Sequence, residues 1–128
     1  MNFHYRYSLI KGIQYHSNVL ILGNVEVEEG GHVLVPVSIE NTDTITGFQF
    51  DVTLPQGVTF TDSLLLTPRA WDHEVYAVQE NQTLSILVFS MDLNQIVSNT
   101  GIVMEFGLSI PPGVGTYLLD VNNIICYF

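Results

Sequence analysis

The sequence predicts an all-β fold, an antiparallel β-sandwich with jelly-roll topology and about nine strands. Apolar and polar residues alternate with a period of two in several segments, which places every second side chain of a strand on the same face. Turn-forming residues separate these segments at near-regular intervals. No window carries an apolar stripe of 3.6-residue period over the length of a helix. Together these observations are typical of a sandwich of many short strands.

The alternation is clearest between residues 30 and 60. The apolar positions are Val33, Val35, Val37 and Ile39 in the first run, and Phe48, Phe50, Val52 and Leu54 in the second. A polar break at 41–44 separates the two runs, and the turn signal Pro55-Gln56-Gly57 follows the second. We therefore expect two strands that each bury one face in the core.

The other elements follow from the same signals. Strands are predicted near residues 19–28, 33–40, 46–54, 58–60, 73–79, 83–91, 102–110 and 116–127. Residues 18–128 are therefore expected to form one sandwich domain. Residues 1–17 fit this pattern poorly, and three interpretations stay open: a tail, a segment foreign to the native sequence, or a mobile extra strand.

The segment 83–91 is unusual because both of its side-chain rows are apolar. Leu84, Ile86 and Val88 form one row, and Leu87, Phe89 and Met91 form the other. One of the two rows must be buried in the core. Either the second row is covered by a neighbouring loop or by residues 1–17, or it is an exposed patch that binds a partner.

The chain is strongly acidic, with 3 Lys and Arg against 13 Asp and Glu and a net charge of -10 at pH 7. Arg6 and Lys11 lie near the start, so residues 12–128 hold Arg69 alone against all 13 acids. Such a surface repels phosphate backbones and anionic lipid, which argues against nucleic acid and membrane-surface partners. Cations, sugars or a basic protein suit it better.

Membrane insertion is not expected, because no apolar run approaches the roughly 20 residues of a spanning helix. The first 17 residues have aromatic and positive residues but no apolar core, so they do not read as a complete signal peptide.

No catalytic constellation is evident, and we expect no enzymatic activity. The serines lack a nucleophile-elbow motif, and Cys126, the single cysteine, has no obvious partner base. The four histidines are scattered without the spacing of zinc ligands, so neither a metal site nor a cofactor is predicted. Asp43 and Asp92 are candidates only for weak calcium binding through loop oxygens.

Trp71 is the single tryptophan and lies in the longest irregular stretch, between Arg69 and Asp72. With polar flanks, it is a candidate for stacking on a sugar ring. The alternative is that it closes one end of the sandwich.

The order of motifs resembles that of cohesin domains over about residues 18–125. The matching segments are NVLILGNVEVEEGG, HVLVPVSIEN, GFQFDVTLPQGVTF, TLSILVFSMD and TGIVMEFGLSIPPGVGTYLLDV. The L-P-x-G-V element is similar to that of cohesin-like domains of gut Bacteroidota surface proteins, where it replaces the Y-D-P-x-V of cellulosomal scaffoldins.

This resemblance implies a nine-stranded jelly-roll sandwich without catalytic activity. It also implies an extracellular or cell-surface location and a protein partner, typically a calcium-loaded dockerin, bound through one flat sheet face. On the matching positions, the implied partner-binding face consists of Gln49, Asp51, Ile86, Val88, Ser90, Val103 and Glu105. Two alternatives stay open: a carbohydrate-binding module that uses Trp71 to bind polysaccharide, and a structural spacer domain of a larger cell-surface protein. The oligomeric state is not readable from the sequence.

Overall fold

The computed structural model describes residues 5–10, 17–23, 31–112 and 119–128, and within these ranges the chain forms nine β-strands. The strands are β1 (Tyr5–Ile10), β2 (Ser17–Leu22), β3 (Gly31–Asn41), β4 (Gly47–Thr53), β5 (Thr59–Leu66), β6 (Glu74–Glu80), β7 (Thr83–Phe89), β8 (Ile102–Ile110) and β9 (Asp120–Tyr127). A short 3-10 helix, Pro68–Ala70, lies between β5 and β6. Nowhere in these ranges is there a helix long and apolar enough to cross a membrane.

The strands form two antiparallel sheets. One sheet has five strands in the order β1-β2-β3-β8-β5, and the other has four in the order β6-β7-β4-β9. Strands that are neighbours in a sheet are often distant in sequence, as in the pairs β3–β8 and β4–β9. The chain therefore crosses between the sheets repeatedly, as a jelly roll does. The predicted fold class is confirmed.

The core lies between the two sheets and is built from the alternating residues that the sequence indicates. Phe48 and Phe50 of β4 are fully buried, with ring centroids 6.1 Å apart. Phe50 approaches Phe106 of β8 at 6.5 Å, so the aromatic contact joins one sheet to the other. Among the alternating positions of β3, Val35, Val37 and Ile39 are buried, while Val33 packs at the edge.

Several strand bounds differ from the predicted ones. β5 extends to Leu66, whereas the sequence suggested a strand of residues 58–60 only. Tyr5–Ile10, in the segment that fitted the pattern poorly, pairs with β2. The predicted strands 19–28 and 116–127 extend into 24–30 and 113–118, which lie outside the described residues.

Candidate protein-binding face

The outer side of the four-stranded sheet carries four rows of side chains, and the three rows nearest Gly47 contain its exposed apolar residues. Residues directly opposed in an antiparallel ladder point to the same side of the sheet. The first row is therefore Glu74, Phe89, Gly47 and Tyr127; the second is Tyr76, Leu87, Gln49 and Ile125; the third is Val78, Ser85, Asp51 and Asn122. We call these three rows the four-strand face.

Much of the four-strand face is apolar and open to solvent. Tyr76 and Val78 are 58% and 59% exposed, which is unusual for large apolar side chains on a regular strand. Ile125 and Tyr127 are exposed on the opposite edge strand, and Leu87 lies half-buried between the two edges. The Tyr76 ring stacks on Phe89 with centroids 5.7 Å apart. A contiguous exposed apolar surface of this kind is typical of an interaction site.

The polar groups at the centre of the four-strand face are held in place by neighbours. The Tyr127 hydroxyl donates to Gln49 Oε1 at 2.6 Å, and Asn123 Nδ2 donates to Asp51 Oδ2 at 2.8 Å. Beside them, a shallow groove of about 400 Å³ runs along β6 and β7 and is lined in part by Tyr76. Groups fixed before binding lose less conformational entropy when a partner arrives.

Ile86 and Val88 do not belong to this face, and their placement on the partner-binding row was wrong. They are 1% and 0% exposed, and they lie opposite Phe50 and Phe48 in the ladder. Because both phenylalanines point into the core, both residues of β7 must do so as well. The outer row of β7 consists of Ser85, Leu87 and Phe89 instead.

The remaining predicted positions also fall elsewhere. Ser90 is buried just after β7, where its Oγ accepts a hydrogen bond from the Asn94 amide at 2.9 Å. Val103 is fully buried, next to the register shift at which β8 passes β3. Glu105 is part of the five-stranded sheet, between Pro36 and Leu65, so it cannot share a surface with Gln49 and Asp51. Of the seven predicted positions, only Gln49 and Asp51 lie on the four-strand face.

Sequence reasoning missed Tyr76, Val78 and Ile125 on the four-strand face. Leu87 and Phe89 belong to the row of 83–91 that it offered as a possible exposed patch, and both are half-buried there. In β6, Val75 and Ala77 point inward while Tyr76 and Val78 point outward, and both rows are apolar. The sequence of such a strand does not say which row is buried. The deciding signal is the pairing register with β7, which depends on the whole sandwich.

Trp71 does not close the end of the sandwich, because its side chain is largely exposed. Ile45 and Ile96 are buried near that end, joined by a backbone hydrogen bond from Ile96 to Ile45 at 2.8 Å.

The two candidate calcium residues differ in setting: the Asp43 carboxylate accepts a hydrogen bond from Asn18, and Asp92 is exposed. Within the described ranges no three His, Cys, Asp or Glu side chains come together as a metal site would require.

Proteins similar to this chain are found by comparing structures, and not by comparing sequences. A scan against protein-family models finds no match, and a search of curated proteins finds none either. Among solved structures, CaCohA2 from Clostridium acetobutylicum matches with a TM-score of 0.67 at 22% identity, over 84% of this chain and 76% of that chain. A non-cellulosomal cohesin from the hyperthermophilic archaeon Archaeoglobus fulgidus matches with a TM-score of 0.63 at 16% identity, over 78% and 70%.

A third match comes from a type I cohesin–dockerin complex of Clostridium thermocellum, Coh-OlpA-Doc918. Its TM-score is 0.62 at 15% identity, over 80% of this chain and 78% of that chain. The protein has the fold of a cohesin. At identities of 15 to 22% the likeness establishes the architecture alone.

Proposed function

We propose that this cohesin-like domain is a non-catalytic protein-binding module that binds its partner through the four-strand face. The observation that carries the proposal is the contiguous exposed apolar surface of Tyr76, Val78 and Ile125 around the fixed polar groups of Gln49 and Asp51. Aromatic side chains are enriched in protein interfaces, which also carry a limited number of hydrogen-bonding groups. A domain that served only as a spacer would gain nothing from exposing these apolar side chains to solvent.

The proposed partner is a dockerin-type domain, and the proposed setting is extracellular or at the cell surface. Structures similar to this chain include a cohesin in complex with a dockerin, which supports this class of partner. The dominance of acidic residues in the chain agrees with a partner that carries Lys and Arg on its contact surface.

A carbohydrate ligand is the second candidate, and the exposure of Trp71 favours it. A free indole ring can stack on the apolar face of a pyranose. If this candidate is correct, a glycan array will return a ligand for the native domain, and Trp71→Ala will abolish the signal.

The proposed function is tested with a panel of recombinant calcium-loaded dockerins in biolayer interferometry. Tyr76→Asp puts a charge among the exposed apolar side chains of β6, and we expect it to weaken the best binder by about 100-fold. Leu65→Asp is the matched control, because Leu65 is an exposed leucine of β5 in the other sheet. Circular dichroism verifies that both variants fold. Unchanged affinity of Tyr76→Asp, or no dockerin bound by the native domain, would contradict the proposal.

A further inference from the structure

Three of the most exposed large apolar side chains in the described residues lie on two loops rather than on a sheet. Trp71 is 69% exposed in the loop between β5 and β6, and Met91 and Leu93 are 76% and 74% exposed in the loop between β7 and β8. We call these three residues the loop-end patch. Single exposed apolar residues need no explanation, but three on adjoining loops do.

The two loops are joined to each other by hydrogen bonds. The Val97 amide donates to the Arg69 carbonyl at 2.9 Å, and Asn94 Nδ2 donates to Asp72 Oδ2. In one loop the bonded residues Arg69 and Asp72 lie on either side of Trp71, and in the other Asn94 and Val97 follow Leu93. The apolar residues of both loops therefore lie at the same end of the sandwich.

The Arg69 side chain fixes this end further. Its Nε donates to the Val97 carbonyl at 2.8 Å and its Nη2 to the Ser98 carbonyl at 3.0 Å. The loops are therefore pinned to the sandwich, and the loop-end patch is presented on a fixed frame. A pre-ordered apolar surface binds a partner more tightly than a mobile one, because it loses less conformational entropy on binding.

The loop-end patch adjoins the four-strand face. β6 begins at Glu74, three residues after Trp71, and β7 ends at Phe89, two residues before Met91. Glu74 and Phe89 are directly opposed in the ladder, so both loops leave the same end of the same strand pair. A partner that covers Phe89 and Tyr76 therefore lies at the end of the strand pair from which both loops emerge.

Charge decides what kind of occupant fits. Glu74 and Asp92 are exposed beside the loop-end patch, and Arg69, the only Lys or Arg in residues 12–128, is buried. A second copy of the chain or an anionic membrane would bring like charge against like charge. The complementary surface is a protein that combines apolar side chains with Lys and Arg.

We propose that the loop-end patch is a second part of the binding site. The partner, a protein with apolar side chains flanked by Lys or Arg, contacts the loop-end patch and the four-strand face together. This inference rests on the proposed function, since it assumes that the four-strand face is bound.

The test uses a displayed library of three-helix scaffolds with a randomised surface, selected on the native domain. We expect the binders to be rich in Lys and Arg, and to lose about tenfold or more in affinity for Trp71→Ser and for Leu93→Ser. Leu65→Ser is the matched control and should stay within about twofold of the native domain. Raising the salt from about 0.05 M to about 0.5 M should weaken binding.

The outcomes separate this inference from the proposed function. Binders that respond to Tyr76→Ser but not to Trp71→Ser or Leu93→Ser overturn the inference and leave the proposed function standing. Binders indifferent to all three substitutions contradict both. Binders with no excess of Lys and Arg overturn the partner chemistry. Two other results would overturn the inference and reassign the loop-end patch. One is a glycan ligand that the native domain binds and Trp71→Ser does not. The other is a dimer of the native domain, seen in light scattering, that is absent in Trp71→Ser.

Discussion

At the scale of single residues, the Arg69 side chain donates five hydrogen bonds, more than any other side chain in the described part of the chain. Its guanidinium donates to the carbonyl oxygens of Ile39, Val97, Ser98 and Gly101 and to Asn41 Oδ1. None of these acceptors is a carboxylate, and burial lowers the pKa of Arg69 below its ordinary value. Carbonyl dipoles from two segments, the end of β3 and the loop before β8, stabilise the charge in place of a counter-ion. Arg69 is therefore structural, and within residues 12–128 no Lys or Arg is left to offset the acidic side chains at the surface.

Cys126 provides a prediction at the same scale. Burial, and then the negative charge of Asp43, raise the pKa of the Cys126 thiol to about 11. Since the thiolate is the reactive form, alkylation by iodoacetamide at pH 8 should be about 100-fold slower in the folded domain than in the urea-unfolded chain. Mass spectrometry of timed samples measures both rates. Equal rates would mean that the thiol is not buried as described.

The same shift has a consequence for stability at high pH. A thiol whose pKa is higher in the folded state favours folding fully below its unfolded value of 9.0, and this contribution is lost as the pH rises to about 11. The free energy of unfolding should therefore fall across that window. In Cys126→Ser, the part of this decrease in unfolding free energy that comes from the thiol should be absent.

At the scale of elements, β5 and β8 are joined across an irregularity. Phe60 pairs with Leu108 and Leu64 with Phe106, so residues 61–63 of β5 lie opposite Gly107 alone. Asp62 adopts a φ of 68° at this point, which a regular strand does not allow. A Cβ on Gly107 would overlap Thr61 Oγ1 and lie 2.9 Å from Ser63 Cβ. The irregularity therefore requires a glycine on the opposing strand.

Gly107→Ala should accordingly lower the free energy of unfolding by about 1 to 3 kcal/mol, because a packed neighbour has to move. Adding Thr61→Ala removes the overlapping hydroxyl and should restore part of the loss. Urea unfolding of the native domain, both single variants and the double variant gives the coupling between the two positions. A Gly107→Ala variant as stable as the native domain would show that the close approach is absent.

The elements that sequence predicts well are those in which no residue interrupts the strand. β3, β4, β6, β7 and β8 all lie within two residues of their predicted bounds, because turn-forming or polar residues mark their ends. The prediction for β5 stopped at Phe60, where the irregularity at 61–63 ends the period of two. A local pattern cannot show a strand that resumes after extra residues.

The candidate site was harder to predict than the fold. Gln49 and Asp51 stand out as polar residues in an otherwise apolar alternation, so the sequence finds them. Ile86 and Val88 were assigned to the wrong row because β7 is apolar on both rows, and only its register with β4 distinguishes them. Glu105 was misplaced because the order of strands within the two sheets is a property of the whole chain.

At the scale of the whole molecule, the two outer sides of the sandwich differ in character. The four-strand face combines exposed Tyr76, Val78, Ile125 and Tyr127, whereas Glu105 lies on the opposite side between Pro36 and Leu65. Aromatic side chains supply most of the energy in protein interfaces. We therefore take the four-strand face as the proposed binding side, and the net negative charge of the chain favours a basic partner.

The most direct test of this asymmetry is an amide NMR titration of the 15N-labelled domain with its tightest-binding dockerin or selected scaffold protein. We predict that the largest chemical-shift changes fall on the four-strand face, at Tyr76, Leu87, Gln49 and Ile125. Changes confined to the other sheet, at Leu34, Leu65 and Glu105, would contradict the assignment of the binding side.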